Sequence, residues 1–257
     1  MSRRPANLSA LFSLLSPIDY AALLWFFVAS FGYVRFAARK AQRAPSLLGA
    51  MNLYRRKWME RIVERENRIV DSSLISMLSN VATFLASTTV LILGGLVALL
   101  GTTEKAVDVM AELPFAVKGS HRLWEMKILL LIGIFGFAFF KFTWALRQFN
   151  MLAILVGAAP SAGGDAPAEE DFISRATDVS VYAGENFNNG LRTYYFGLAA
   201  LAWFLHPLLF AATTAGVVGV LYLREFRSAT LETLIGIHGK GDWEWPPRRI
   251  LPPENRP

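Results

Sequence analysis

Lys127–Asn150 reads KILLLIGIFGFAFFKFTWALRQFN, and its two halves follow different rules. From Ile128 to Phe140 every residue is apolar or glycine. Lys141, Trp144, Arg147, Gln148 and Asn150 then arrive within three helical turns. An apolar helix that turns polar in mid-course either leaves the membrane there or carries a polar site inside it. A crossing of about 21 residues ends near Leu146. That leaves Lys141 and Arg147 at the interface, where long cations reach back to water. Met151–Ala158 is apolar again. An unbroken helix from 126 to 158 would be about 50 Å long, too long for one ordinary crossing. The sequence therefore predicts a crossing over 126–146 that ends in the polar knot. An apolar segment then lies against the bundle or in the interface. The knot is either a set of snorkelling side chains or a buried cluster partnered by carboxylates.

Composition agrees with a membrane. Of 257 residues, 54% are hydrophobic and 18% charged, with a mean hydropathy of +0.37. Soluble domains carry about 25% charged residues. The net charge of +6 reads as a topology signal, because Lys and Arg gather on the cytoplasmic side. No basic face on a soluble fold invites nucleic acid. The absence of cysteine excludes disulfides, thiolate metal sites, iron–sulfur clusters and cysteine nucleophiles. Of His121, His206 and His238, only His206 falls in a span, so a haem held by two histidines lacks its second ligand. There is no phosphate-binding glycine loop, no HExxH and no Gly-x-Ser-x-Gly. No cofactor or metal is expected.

Working outward, spans are predicted at about 18–37, 74–100, 126–146 and 191–223. The first follows Arg3 and Arg4 but ends in Arg35 without a small-residue cleavage site, so it is a retained span. The last contains His206-Pro207 and should be bent there. Residues 38–73 form a basic cytoplasmic loop. A helix from Leu47 or Asn52 carries Lys57, Arg61, Arg65 and Arg68 as one stripe, and Trp58/Met59, Ile62/Val63 and Ile69/Val70 as another. Glu66 interrupts the apolar stripe. Such a helix lies on the membrane and holds anionic head groups, or docks under the bundle with Glu66 paired to Lys141 or Arg147.

Span two carries Ser72, Ser76, Asn80, Thr83 and Ser87 along one face, which should meet other helices or water. Gly94 and Gly95 permit close helix approach near its outer end. The acidic linker 159–170 precedes a second amphipathic helix, marked by Phe172, Ala176, Val179, Ala183 and Phe187. Asn188-Asn189-Gly190 should end it with a left-handed cap. Residues 1–228 thus read as one membrane domain and 229–257 as a polar, Pro-rich tail.

Four blocks look familiar together: RRKWMERIVERENRIVDSSL (55–74), FLASTTVLILGGLVAL (84–99), FFKFTWALRQFN followed by ILVGAAP (139–160), and GLRTYYFGLAALAWFLHP continuing to LYLREFRS (190–228). The chain resembles the domain-of-unknown-function family numbered 599, multi-pass membrane proteins of bacteria and plants. The resemblance implies a four-span membrane protein and transfers no activity or catalytic residue.

The expectation is an all-α integral membrane protein, a four-span helix bundle with two amphipathic cytoplasmic helices. It should sit in the cell inner membrane with both termini outside. The leading functional reading is a scaffold or accessory subunit, binding a membrane partner protein or anionic lipid through the basic helix, alone or as a homo-oligomer. A small oligomeric transporter or channel would use the polar face of span two opposite Lys141 and Arg147. A lipid-modifying enzyme would set Glu66, Asp71 or Glu185 beside a lipid-sized groove.

Overall fold

The computed structural model describes residues 15–41, 43–102, 121–161 and 163–236, and their regular structure is all helical. In chain order the helices are α1 (Pro17–Ala41), α2 (Leu47–Glu64), α3 (Ile69–Gly101), α4 (His121–Gly157), α5 (Ala166–Leu201), α6 (Pro207–Phe226) and α7 (Ala229–Gly236), with a 3-10 turn at Ala202–Phe204. Four stretches are long and apolar enough to cross a membrane: α1, α3, α4 and Pro207–Gly236. The multi-pass, all-α reading stands. Residues 1–14, residues 103–120 and the tail beyond 236 lie outside the described residues.

The polar knot does not end α4. The helix runs unbroken for 37 residues, about 55 Å. The reason lies in what the continuation covers. Phe149, Leu152 and Val156 of α4 pack with Phe172, Ala176 and Ala183 of α5, with Met59, Ile62 and Val63 of α2, and with Ile75 and Ala82 of α3. These residues make a second core beyond the apolar span. The helices enclosing it carry Lys57, Glu60, Arg61, Glu170, Asp171 and Arg175, so this part is called the water-side module. The first core joins Phe26 of α1, Leu131 and Phe135 of α4, Phe196 of α5, Trp203 of the 3-10 turn and Phe210 of α6.

α4 and α5 are antiparallel along their whole length. Lys127 Nζ donates to the Trp203 carbonyl at 2.7 Å at one end, and Lys141 Nζ to Asn186 Oδ1 at 3.1 Å further along. The predicted cap at Asn188-Asn189-Gly190 does not form, and α5 continues to Leu201. Gly190 is buried, and a Cβ there would lie 2.5 Å from the Phe142 ring. Its glycine serves a close helix approach; among the described residues the positive-φ glycine is Gly163.

The stretch 191–223 is not one bent crossing. The chain reverses at Ala202–His206, and α6 runs back along α5: Thr213 Oγ1 donates to the Ala199 carbonyl at 3.2 Å, and Arg192 meets Glu225 at 3.3 Å. Pro207 starts α6 instead of kinking a longer helix, which its missing N–H allows. His206 is the N-cap, its Nδ1 accepting from the Leu208 N–H at 3.1 Å. α1 lies parallel to α6, with the Trp25 indole donating to Ala211 at 3.2 Å and Lys40 Nζ to the Tyr222 hydroxyl at 2.6 Å.

α2 does not lie across the bundle on the membrane surface. It runs antiparallel to the water-side half of α5. The Leu48 N–H donates to Glu225 Oε1 at 3.2 Å, the Arg55 guanidinium crosses Gly184, and Arg56 pairs with Glu170 at 2.8 Å. Trp58, Met59, Ile62 and Val63 of the predicted apolar stripe pack in or against the second core, while Ile69 and Val70 fall on α3 and are exposed. The first eight residues of the expected tail form α7, where Leu231 is buried and the Leu234 carbonyl accepts from the Tyr54 hydroxyl at 3.1 Å. The described chain therefore starts at the Trp203 end of the bundle and stops beside α2, at the other end. The two termini, expected on one side, lie outside the described residues.

Candidate polar sites of the bundle

The predicted cluster forms in part. Asn186 Nδ2 donates to Gln148 Oε1 at 3.0 Å while Asn186 Oδ1 accepts from Lys141. Lys141 and buried Gln148 are thus joined through a residue of α5 that periodicity alone did not single out. Trp144 is exposed, with the Arg147 guanidinium 5.8 Å from its ring, and Asn150 is exposed. That pair is what an interface anchor looks like. Asn80 is exposed on the outer face of α3 and does not meet Lys141. Glu66 is exposed in the link between α2 and α3 and makes no ion pair among the described residues. The facing arrangement that motivated a conduit is not formed.

The basic stripe is shorter than predicted, because α2 ends at Glu64. Arg61 pairs with Glu64 at 2.6 Å, and Lys57 is exposed. Arg65 turns to Asp71 at 2.8 Å. Arg68 donates to the carbonyls of Ala159, at 2.9 Å, and Pro160, just past the end of α4. A cation satisfying orphan carbonyls there complements the helix dipole. Two of the four candidate lipid-binding cations therefore hold the module together.

Three polar groupings are more buried than the predicted one. In the water-side module Asp71 is fully buried, and its Oδ1 accepts from Arg65 and from the Trp58 indole at 2.7 Å, while Oδ2 has no partner. Where α2 meets α5 and α6, Arg55 donates to Asn52 Oδ1 at 2.7 Å and lies near Glu185, while Arg192 and Glu225 form their own half-hidden pair. Burial pushes the Glu185 carboxyl above the usual range, with Arg55 and Arg192 opposing, and burial pulls the Arg55 guanidinium down, with Glu185 opposing. At the opposite end, Asp19 Oδ1 accepts from the Trp203 indole at 2.7 Å, and Lys127, 5% exposed, sits over the Trp203 ring. A solitary acid inside the apolar α3 and a lysine at the start of α4 were the legible signals for Asp71 and Lys127. Glu185 was named only as a possible acid of a lipid groove, and nothing local joined it to Arg55.

A shallow groove on α3 is lined by Arg68, Ser72, Ser76, Met77, Asn80 and Phe84 among others. No carboxylate lines it. Glu66 is solvated, Asp71 is sealed, and Glu185 lies on another helix, so the three acids do not share a lipid-sized cleft. Among the described residues no cluster of histidine and carboxylate side chains could hold a metal ion.

Residues 21–230 match the family described as "Protein of unknown function, DUF599". The chain belongs to the DUF599 family. No curated protein and no solved structure matches it. The matched stretch of this DUF599 chain includes Arg55, Asp71, Lys127, Glu185, Arg192 and Glu225, and Asp19 lies just before it.

Proposed function

We propose that this DUF599 protein is a membrane scaffold or accessory subunit that presents its water-side module to a partner protein and holds anionic lipid at the inner boundary. The observation that carries the reading is continuity. α3, α4 and α5 pass from the first core to the second without a hinge, so a partner docked on the module is held rigidly against the membrane. Ile154 and Met151 of α4, 72% and 40% exposed, offer apolar contact on that module. Arg35, Arg39 and Arg43 are exposed at the end of α1 and the turn after it, with no ion pair among the described residues. Cations so placed attract anionic head groups by about 1 kcal/mol each. They take over the lipid-binding role first assigned to Lys57, Arg61, Arg65 and Arg68.

The same reading sets the topology. Among the described residues Arg122 and Lys127 are the Lys and Arg at the Trp203 end, and the rest lie at the other. The positive-inside rule puts the water-side module in the cytoplasm of an inner-membrane protein. The second half of α5 returns the chain across the bilayer, which gives five passes with α1 starting outside and α7 inside.

A photo-crosslinking residue at Ile154, in cells, tests the scaffold role. One discrete protein adduct, absent when the probe replaces lipid-facing Phe31, supports it. Lipid adducts alone, or none, would remove it.

A further inference from the structure

We propose that two copies of the chain pair through α3, helix against identical helix, about a two-fold axis along the membrane normal. The inference does not depend on the scaffold reading. α4 is the one helix against which α3 packs extensively. On the opposite face Val70, Leu74, Met77, Val81, Phe84 and Leu91 repeat on a four-three spacing, with Thr88 filling the remaining position. Their exposures run from 40% at Leu74 to 76% at Leu91. That spacing is a coiled-coil seam. It starts beside the second core and continues onto the apolar span, so lipid covers only part of it and water only the rest. A helix of the same length covers all of it.

Charge selects the occupant. From Ile69 to Thr102 the chain holds one ionisable residue, Asp71, which is fully buried and paired with Arg65. The neighbouring water-side helices show charges to solvent; beside this face the charge is Arg68, just before α3 and bonded to the Ala159 and Pro160 carbonyls. The membrane fixes both copies in the same orientation, so a two-fold pairing sets each seam residue opposite its own copy. Any charge on the seam would meet itself, and the seam has none. Gly95 continues the spacing toward the outer end, where a Cβ would meet nothing within 4 Å, so the helices can approach closely.

The chain has no cysteine, so single-cysteine variants of the full-length protein report directly. In native-membrane vesicles under mild oxidation, Met77→Cys, Phe84→Cys and Leu91→Cys should form a disulfide-linked dimer at least about tenfold faster than Phe31→Cys on α1, because pairing raises the local thiol concentration. Equal rates at all four positions, or rates that rise with protein density in the membrane, would overturn the pairing. Met77→Lys and Met77→Glu, each combined with Leu91→Cys, should bring the dimer down to the Phe31→Cys level. Co-expressing the two should restore it. Met77 is 56% exposed, so each variant should melt as the parent does, and that is measured alongside. A Leu91→Cys dimer unaffected by either charge refutes the proposal.

Discussion

The ring of Phe142 occupies the space a side chain on Gly190 would need: a Cβ there would lie 2.5 Å from Phe142 Cε1. This contact brings α4 and α5 together midway along their antiparallel pairing. Gly190→Ala should therefore destabilise the fold by about 1–3 kcal/mol, the usual range for overpacking a filled core. Gly94→Ala, with open space around it, should be neutral or slightly stabilising, since alanine is the better helix former. Thermal melting of both variants in lipid nanodiscs distinguishes them, and equal effects would mean that the close approach does not exist.

Asp71 is the charge on which the water-side module turns. Asp71→Ala strips the Trp58 indole and Arg65 of their acceptor and should cost about 1–3 kcal/mol, as expected for a buried donor left unpaired. Glu66→Ala, five residues earlier and exposed, should change stability by less than about 0.5 kcal/mol. Denaturation in nanodiscs checks the ranking. A larger loss from Glu66→Ala would place the acid in a role the fold does not give it.

Glu185 adds a pH dependence of known sign. Its folded pKa is raised by burial, so its contribution to stability is present below the ordinary glutamate pKa and lost as pH rises through the folded value. The melting temperature of the wild type, taken relative to Glu185→Gln, should fall as pH is raised above the ordinary glutamate pKa. A difference that stays flat, or that grows with pH, would show that Arg55 compensates the carboxylate fully.

The apolar blocks of α1, α3 and α4 were legible in the sequence because a bilayer leaves no other use for them. Several details were not. Pro207 is compatible with a bent span or with the first turn of a new helix, and only the packing of Thr213 on Ala199 decides between them. Asn188-Asn189-Gly190 has the composition of a cap, but its glycine is claimed by Phe142. Nothing local marks the end of α2 at Glu64, so the helical period carried the basic stripe on through Arg65 and Arg68. Their true partners, Asp71 and the carbonyls after α4, lie in other elements. The polar knot was visible as Lys141 and Gln148, and Asn186, which joins them, was not, because antiparallel register is a tertiary fact.

The proposed five-pass arrangement rests on the reversal at Ala202–His206, and impermeant maleimide labelling of intact cells tests it most directly. Leu205→Cys, at the turn, should be labelled from outside, and Ser228→Cys, after α6, should react only once the membrane is opened. A single bent crossing over 191–223 would leave Leu205→Cys buried in lipid and unreactive and would expose Ser228→Cys to the outside. That outcome would contradict the hairpin and the topology drawn from it.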